Sequence, residues 1–125
     1  QAVAEFLASH PKIAYVNYCG LPGDKYHAVA EKYLPNGSCG VVSFGVKGGR
    51  EAAAAFMGHL KIAAIETHVA DARTCCLHPA SSTHRQMNDE QLIAAGVQPD
   101  LVRMSCGLED KNDLIHDIAQ ALDQI

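Results

Sequence analysis

An α+β layer, one largely antiparallel sheet with helices mainly on one face, is the fold class this sequence predicts. Three observations lead there. Apolar residues switch repeatedly between helical spacing and short strand-like runs along the chain. Two strand candidates in mid-chain follow one another across a short polar turn with no helix between them, so part of the sheet is expected to run antiparallel. The helices each carry a single apolar stripe, the pattern of an element laid against a sheet. At 125 residues, 48% hydrophobic and 19% charged, the chain is sized and composed for one globular domain with a modest core.

The elements follow in order. Gln1 to Ser9 sets Val3, Phe6 and Leu7 on one stripe and reads as a helix stopped by Pro11. Ile13 to Val16 is a short strand. Gly20-Leu21-Pro22-Gly23-Asp24 is a loop, and a helix over Tyr26 to Leu34 ends before Pro35-Asn36-Gly37. Gly40 to Val46 is a strand broken by Gly48-Gly49. Arg50 to Leu60 repeats Ala52, Ala53, Phe56, Met57 and Leu60 at helical period. Strands are expected over Ile62 to Thr67 and Thr74 to Leu77, joined by a polar turn from His68 to Arg73. Asn88 with Gln91 forms a capping-box pattern for a short helix that Gly96 closes. In the strand Leu101 to Cys106, alternation puts Leu101, Arg103 and Ser105 on one face and Val102, Met104 and Cys106 on the other. Asp110 caps a last helix with Leu114, Ile115, Ile118, Leu122 and Ile125 on its stripe.

Several function classes are excluded by the totals. A net charge of −4 gives no basic surface for nucleic acid. No apolar run reaches the length of a membrane span, and no signal-peptide pattern opens the chain. The five cysteines, Cys19, Cys39, Cys75, Cys76 and Cys106, contain no C-x-x-C pair and sit mostly among apolar residues. That pattern favours buried thiols and a reducing cytoplasm. Gln1 already lies inside a helical pattern, so the chain is expected to be a fragment of a longer protein.

Arg103 is the strongest single candidate for chemistry, because a guanidinium in an apolar strand needs a partner. Its rigid fork suits a carboxylate gripped by two parallel hydrogen bonds. A structural salt bridge to one of the fourteen acidic residues, or an edge position facing water, is the alternative. His78-Pro79-Ala80-Ser81-Ser82-Thr83-His84 is the densest run of reactive side chains, and a common cleft with Arg103 is expected. The His68, His78 and His84 spacing is poor for a metal, and no Gly-x-Ser-x-Gly elbow supports a serine nucleophile. A polar loop bonding its own backbone remains the competing reading. Gly45-Val46-Lys47-Gly48-Gly49-Arg50 lacks the ending of a P-loop and is expected to be a tight strand-to-helix turn.

Four ordered segments carry a resemblance. They are Lys32-Tyr33-Leu34-Pro35, Phe44-Gly45-Val46-Lys47-Gly48-Gly49-Arg50-Glu51-Ala52, His78 through Gln86, and Ala95-Gly96-Val97-Gln98-Pro99-Asp100-Leu101 through Asp110. Together they resemble the C-terminal part of the Cys/Met-metabolism (trans-sulfuration) family of pyridoxal-phosphate enzymes, most of all its O-acetylhomoserine sulfhydrylase branch. The resemblance implies that residues 1–125 are the small C-terminal, substrate-recognition domain of a fold-type-I enzyme. It implies pyridoxal phosphate bound by a large N-terminal domain upstream, since no lysine here lies in the family's Ser-x-Thr-Lys setting. It implies O-acetylhomoserine and sulfide as substrates, homocysteine and acetate as products, and a homotetramer when full length. It assigns Arg103 to the substrate α-carboxylate, with His68 and Thr83 beside the substrate. His68 stands where relatives have Ser or Asn, and Cys19 where they have proline. The fragment alone would be inactive. A γ-lyase, an O-acetylserine sulfhydrylase or a stand-alone non-catalytic α+β module are the alternatives.

Overall fold

The computed structural model describes all 125 residues. Five helices and five strands occur in the order α1 (Ala2–Ser9), β1 (Ile13–Asn17), α2 (His27–Tyr33), β2 (Val41–Val46), α3 (Gly49–His59), β3 (Ala64–Ile65), β4 (Cys75–Leu77), α4 (Asp89–Ala94), β5 (Leu101–Ser105) and α5 (Lys111–Asp123), with a 3-10 turn at Pro79–Ser81. The strands form one sheet ordered β1-β2-β5-β4-β3. The pairs β1–β2, β2–β5 and β5–β4 are antiparallel, as expected.

The sheet's two faces differ in chemistry because each strand alternates. On one face Val42, Phe44 and Val46 of β2 meet Val102 and Met104 of β5, Cys76 of β4 and Ile13 of β1. Helices α1, α3 and α5 cover that face with Val3, Ala4 and Leu7, with Ala53, Phe56 and Met57, and with Leu114, Ile118, Ala121 and Leu122. Phe44 and Phe56, both fully buried, meet edge to face at 5.8 Å. The register puts Asn17, Ser43, Arg103 and Leu77 side by side on the opposite face.

Termini and turns follow their sequence signals. Asn88 and Gln91 form the reciprocal capping box of α4, and Asp110 accepts the Asn112 N–H at the start of α5. The Gly48 backbone at φ 109 makes the turn into α3, a conformation glycine adopts freely. Arg50 spends its guanidinium on Asp89 and on the Ala80 carbonyl, which ties α3 to α4 and the 3-10 turn. The glycine-rich stretch is therefore a structural turn.

Two expectations need correction. The strand expected over 62–67 is only Ala64–Ile65, and it pairs with β4 in parallel, not antiparallel. The reason is a buried carboxylate on one side and an arginine on the other. Asp117, 4% exposed, accepts the N–H groups of Lys61, Ile62 and Ala63, which bends the chain before β3. After β3, Thr67 turns its carbonyl to Arg103 and leaves the ladder.

Gly107, just beyond β5, passes against the backbone of Ala72, Arg73 and Thr74, and a Cβ there would stand 2.6 Å from the Thr74 nitrogen. Gly107→Ala is expected to destabilise the fold by about 2–4 kcal/mol, because backbone cannot step aside as a flexible side chain can. Urea unfolding of the two proteins side by side checks this.

Candidate functional site

The site is built on the sheet face that the three core helices leave open. Arg103 lies in mid-strand on β5, opposite Ser43 of β2 and Leu77 of β4. Asn17 of β1 stands beyond Ser43, its amide 3.5 Å from the Ser43 hydroxyl. A polar strip thus crosses the sheet from Asn17 through Ser43 to Arg103.

The Arg103 fork has one protein partner. Its Nη2 donates to the Thr67 carbonyl at 2.8 Å. The ion-pair contacts of the chain are His27–Glu31, Arg50–Asp89 and His68–Asp71, and Arg103 takes part in none of them. A guanidinium offers five N–H donors in a planar fork. Most of that fork here has no protein partner, and it projects from a rigid central strand. Such an arrangement can take a carboxylate or another planar oxyanion by two hydrogen bonds. The structural salt bridge weighed for Arg103 is absent.

His68 follows Thr67 in the loop after β3, and no hydrogen bond or ion pair links its ring to Arg103. His68 Nδ1 lies 3.4 Å from the Asp71 carboxylate, and both side chains are open to solvent. The Arg73 N–H and the His68 ring together hold the Asp71 carboxyl below its usual range. The loop is tied back by the Ala70 N–H, which donates to the Ser105 hydroxyl at 2.9 Å. Its far end is tied by Glu109, which accepts both the N–H and the hydroxyl of Thr74. Burial opposes ionisation of Glu109, but these Thr74 donors outweigh it and its pKa is lowered.

Thr83 is placed differently. It is exposed, its hydroxyl is 2.8 Å from the ring of His84, and it makes no hydrogen bond to Arg103 or to the 67–71 loop. His78, 2% exposed, is a structural residue: Nε2 faces the Pro99 carbonyl at 2.8 Å and Nδ1 faces the Ser81 hydroxyl at 2.8 Å. A carbonyl only accepts, so Nε2 carries a hydrogen and donates to Pro99. The His78–Pro99 contact therefore joins the end of β4 to the segment before β5, and the His78–Ser81 pair has no carboxylate hydrogen-bonded behind it to orient a nucleophile.

The expected common cleft is not closed within these residues. His78, Ser81 and Ser82 line a small cleft with Ala54, Met57, Gly58 and Ile65, and Arg103 lines none of the clefts found. No group of His, Cys, Asp or Glu is gathered for a metal ion. Cys75 and Cys76 are buried, and burial raises both thiols, which suits packing and not nucleophilic work. No helix is long and apolar enough to cross a membrane.

Residues 1–123 match a family model described as Cys/Met metabolism PLP-dependent enzyme. The chain belongs to that family. It is 45% identical over 124 residues to O-acetyl-L-homoserine sulfhydrylase of Leptospira meyeri, covering 98% of this chain and 28% of that protein. It is 44% identical over 122 residues to homocysteine synthase of Schizosaccharomyces pombe, with the same two coverages of 98% and 28%. A crystal structure of a Campylobacter jejuni protein titled putative O-acetylhomoserine (thiol)-lyase, carrying a pyridoxyl-lysine adduct, superposes with a TM-score of 0.87 at 38% identity. That match covers 97% of this chain and 29% of that one. The chain thus spans little more than a quarter of the length of the curated relatives it matches.

Pyridoxal phosphate is the cofactor of this family, and the lysines here do not offer it a covalent site. Lys12 is committed to the Leu122 and Ile125 carbonyls at the end of α5, and Lys25 and Lys32 lie over the rings of Tyr26 and Tyr33. Lys47, Lys61 and Lys111 are exposed, and no lysine lines a cleft.

Sequence reasoning missed Ser43 and Thr67 as neighbours of Arg103, and Asn17 as the next residue along the strip. The alternation of β2 carried a signal for Ser43, a lone polar residue in an apolar run. Nothing local marked Thr67, because its contribution is a backbone carbonyl.

Proposed function

We propose that residues 1–125 form the C-terminal, substrate-recognition domain of a pyridoxal-phosphate-dependent O-acetylhomoserine sulfhydrylase. The reaction replaces the acetoxy group of O-acetylhomoserine by sulfide: a C–S bond forms at Cγ, the C–O bond breaks, and acetate leaves with its electron pair. Arg103 grips the α-carboxylate of the amino acid, while His68 and Thr83 border the substrate. The carrying observation is the Arg103 fork, fixed in mid-sheet, bonded to one carbonyl and paired with no acid. Pyridoxal phosphate, held by the large N-terminal domain of the same polypeptide, supplies an electron sink at Cα. This domain's contribution is positional: a carboxylate fixed at Arg103 fixes the direction of the Cα–H bond. The same reading makes the full-length enzyme a homotetramer working in the cytoplasm, a compartment that suits five free cysteines.

His68 is the local departure from relatives, a larger side chain than the Ser or Asn that the resemblance implies there. His68→Ser in the full-length enzyme is therefore expected to change KM for the amino acid and leave KM for sulfide within about twofold, and initial rates with each substrate varied in turn check it.

The reading is tested by assaying the purified full-length protein, loaded with pyridoxal phosphate, for homocysteine from O-acetylhomoserine and sulfide. Comparison substrates are O-acetylserine with sulfide and methionine alone. Homocysteine formation with the highest kcat/KM supports the assignment. Preferred α-keto acid release from methionine would make the protein a γ-lyase, and preferred cysteine formation an O-acetylserine sulfhydrylase. No turnover of any of them would leave a binding module.

A further inference from the structure

We infer that Ser105 is a positioning residue for Arg103, acting through the 67–71 loop; this rests on the carboxylate-recognition reading above. Ser105 is 2% exposed and lies on the same face of β5 as Arg103, two residues further along. It is one of few polar side chains buried in this fold, so its hydroxyl must be engaged. That hydroxyl accepts the Ala70 N–H at 2.9 Å.

Ala70 is the only residue other than glycine with positive φ, at 60. An L-residue enters that region against the contacts of its own Cβ and stays there when its surroundings hold it. Here the holding contact comes from Ser105. The left-handed residue turns the chain so that Thr67, three residues earlier, presents its carbonyl to Nη2 of Arg103 at 2.8 Å. One strand thus bears both the arginine and the serine that fixes the loop restraining it. A long side chain held at one arm loses fewer rotamers when a carboxylate arrives, so the clamp binds preorganised. Ser105 itself touches no substrate in this arrangement.

Ser105→Ala removes the acceptor and little else, since the released Ala70 N–H belongs to an exposed residue that water can reach. In the full-length, cofactor-loaded enzyme, it is expected to raise KM for O-acetylhomoserine about tenfold and change kcat by less than about twofold. KM for sulfide should stay put. Ser105→Cys fills the site with a slightly larger, weaker acceptor and should fall between the two, which also covers the case of a poorly folding alanine variant. In an Arg103→Ala background the Ser105→Ala effect on KM should shrink to below about twofold, because its route is gone. Hydrogen exchange gives a readout independent of turnover: the Ala70 amide should be protected in the parent enzyme and exchange faster in both Ser105 variants.

An unchanged KM in Ser105→Ala, with Arg103→Ala impaired, overturns this role and leaves carboxylate recognition standing. An effect of equal size with and without Arg103 also overturns it, since general loosening would do that. An unprotected Ala70 amide in the parent enzyme does the same. If Arg103→Ala itself behaves as the parent, the underlying reading of Arg103 fails, and this inference with it.

Discussion

Replacing Arg103 by alanine is expected to lower kcat/KM of the full-length enzyme for O-acetylhomoserine by roughly thirtyfold to five-thousandfold, equivalent to about 2–5 kcal/mol for a desolvated charge pair. The fold should be indifferent. Within the domain the guanidinium bonds a single carbonyl and neutralises no acid, so its loss strands no buried charge. KM for sulfide should change little, because sulfide has no carboxylate to grip. Arg103→Lys keeps the charge but loses the fork, and should recover only part of the loss. Steady-state kinetics on both substrates, with circular dichroism as a fold control, reads all of this. An Arg103→Ala enzyme with parental kcat/KM removes the proposed role.

The second large effect belongs to stability. Asp117 is buried on α5, and its two oxygens accept the N–H groups of Lys61, Ile62 and Ala63 and the amide of Gln120. Asp117→Ala strands several backbone donors between α3 and β3 at once. The expected loss is about 3–5 kcal/mol, since each unmet buried donor costs about 1–3 kcal/mol and part is recovered by relaxation. Urea unfolding measures it. Desolvation pushes the Asp117 pKa up, but the Ala63, Lys61 and Ile62 N–H groups and Gln120 outweigh it, and the net shift is down. A carboxyl with a folded pKa below its unfolded one stabilises fully above the ordinary carboxylate range. That contribution is lost as pH falls towards the lowered value. The parent chain should therefore lose stability from about pH 4 downward, and Asp117→Asn should show a shallower acid limb.

Much of the fold is legible in the sequence because local patterns and tertiary packing agree. The alternation in Leu101-Val102-Arg103-Met104-Ser105 predicts which side chains enter the core, and Val102 and Met104 are fully buried. The stripes of α1, α3 and α5 lie where their spacing puts them. Disagreement arises where side chains far apart in sequence capture backbone groups. Ile62-Ala63-Ala64-Ile65 reads as a longer strand, but Asp117 takes the N–H groups of its first two residues, more than fifty positions downstream. A signal for that existed: Asp117 sits between Leu114 and Ile118, inside the buried stripe of α5, where a carboxylate must be satisfied. The His78–His84 run misleads for a related reason. Its density of polar atoms suggests chemistry, while His78 spends both ring nitrogens on internal contacts. Arg103 was legible as a candidate because an unpaired charge in an apolar strand is costly. The cleft around it was not, because within these residues it is an open face.

The most direct test of Arg103 as the carboxylate clamp compares two ligands on the cofactor-loaded full-length enzyme by absorbance titration. One is O-acetylhomoserine, and the other is its α-carboxamide, alike in shape and lacking the anionic charge. The parent enzyme should bind the amino acid at least about thirtyfold more tightly than the amide, as expected for a desolvated ion pair, and Arg103→Ala should bind the two within about threefold of each other. An Arg103→Ala enzyme that keeps the full parental preference for the carboxylate would contradict the account.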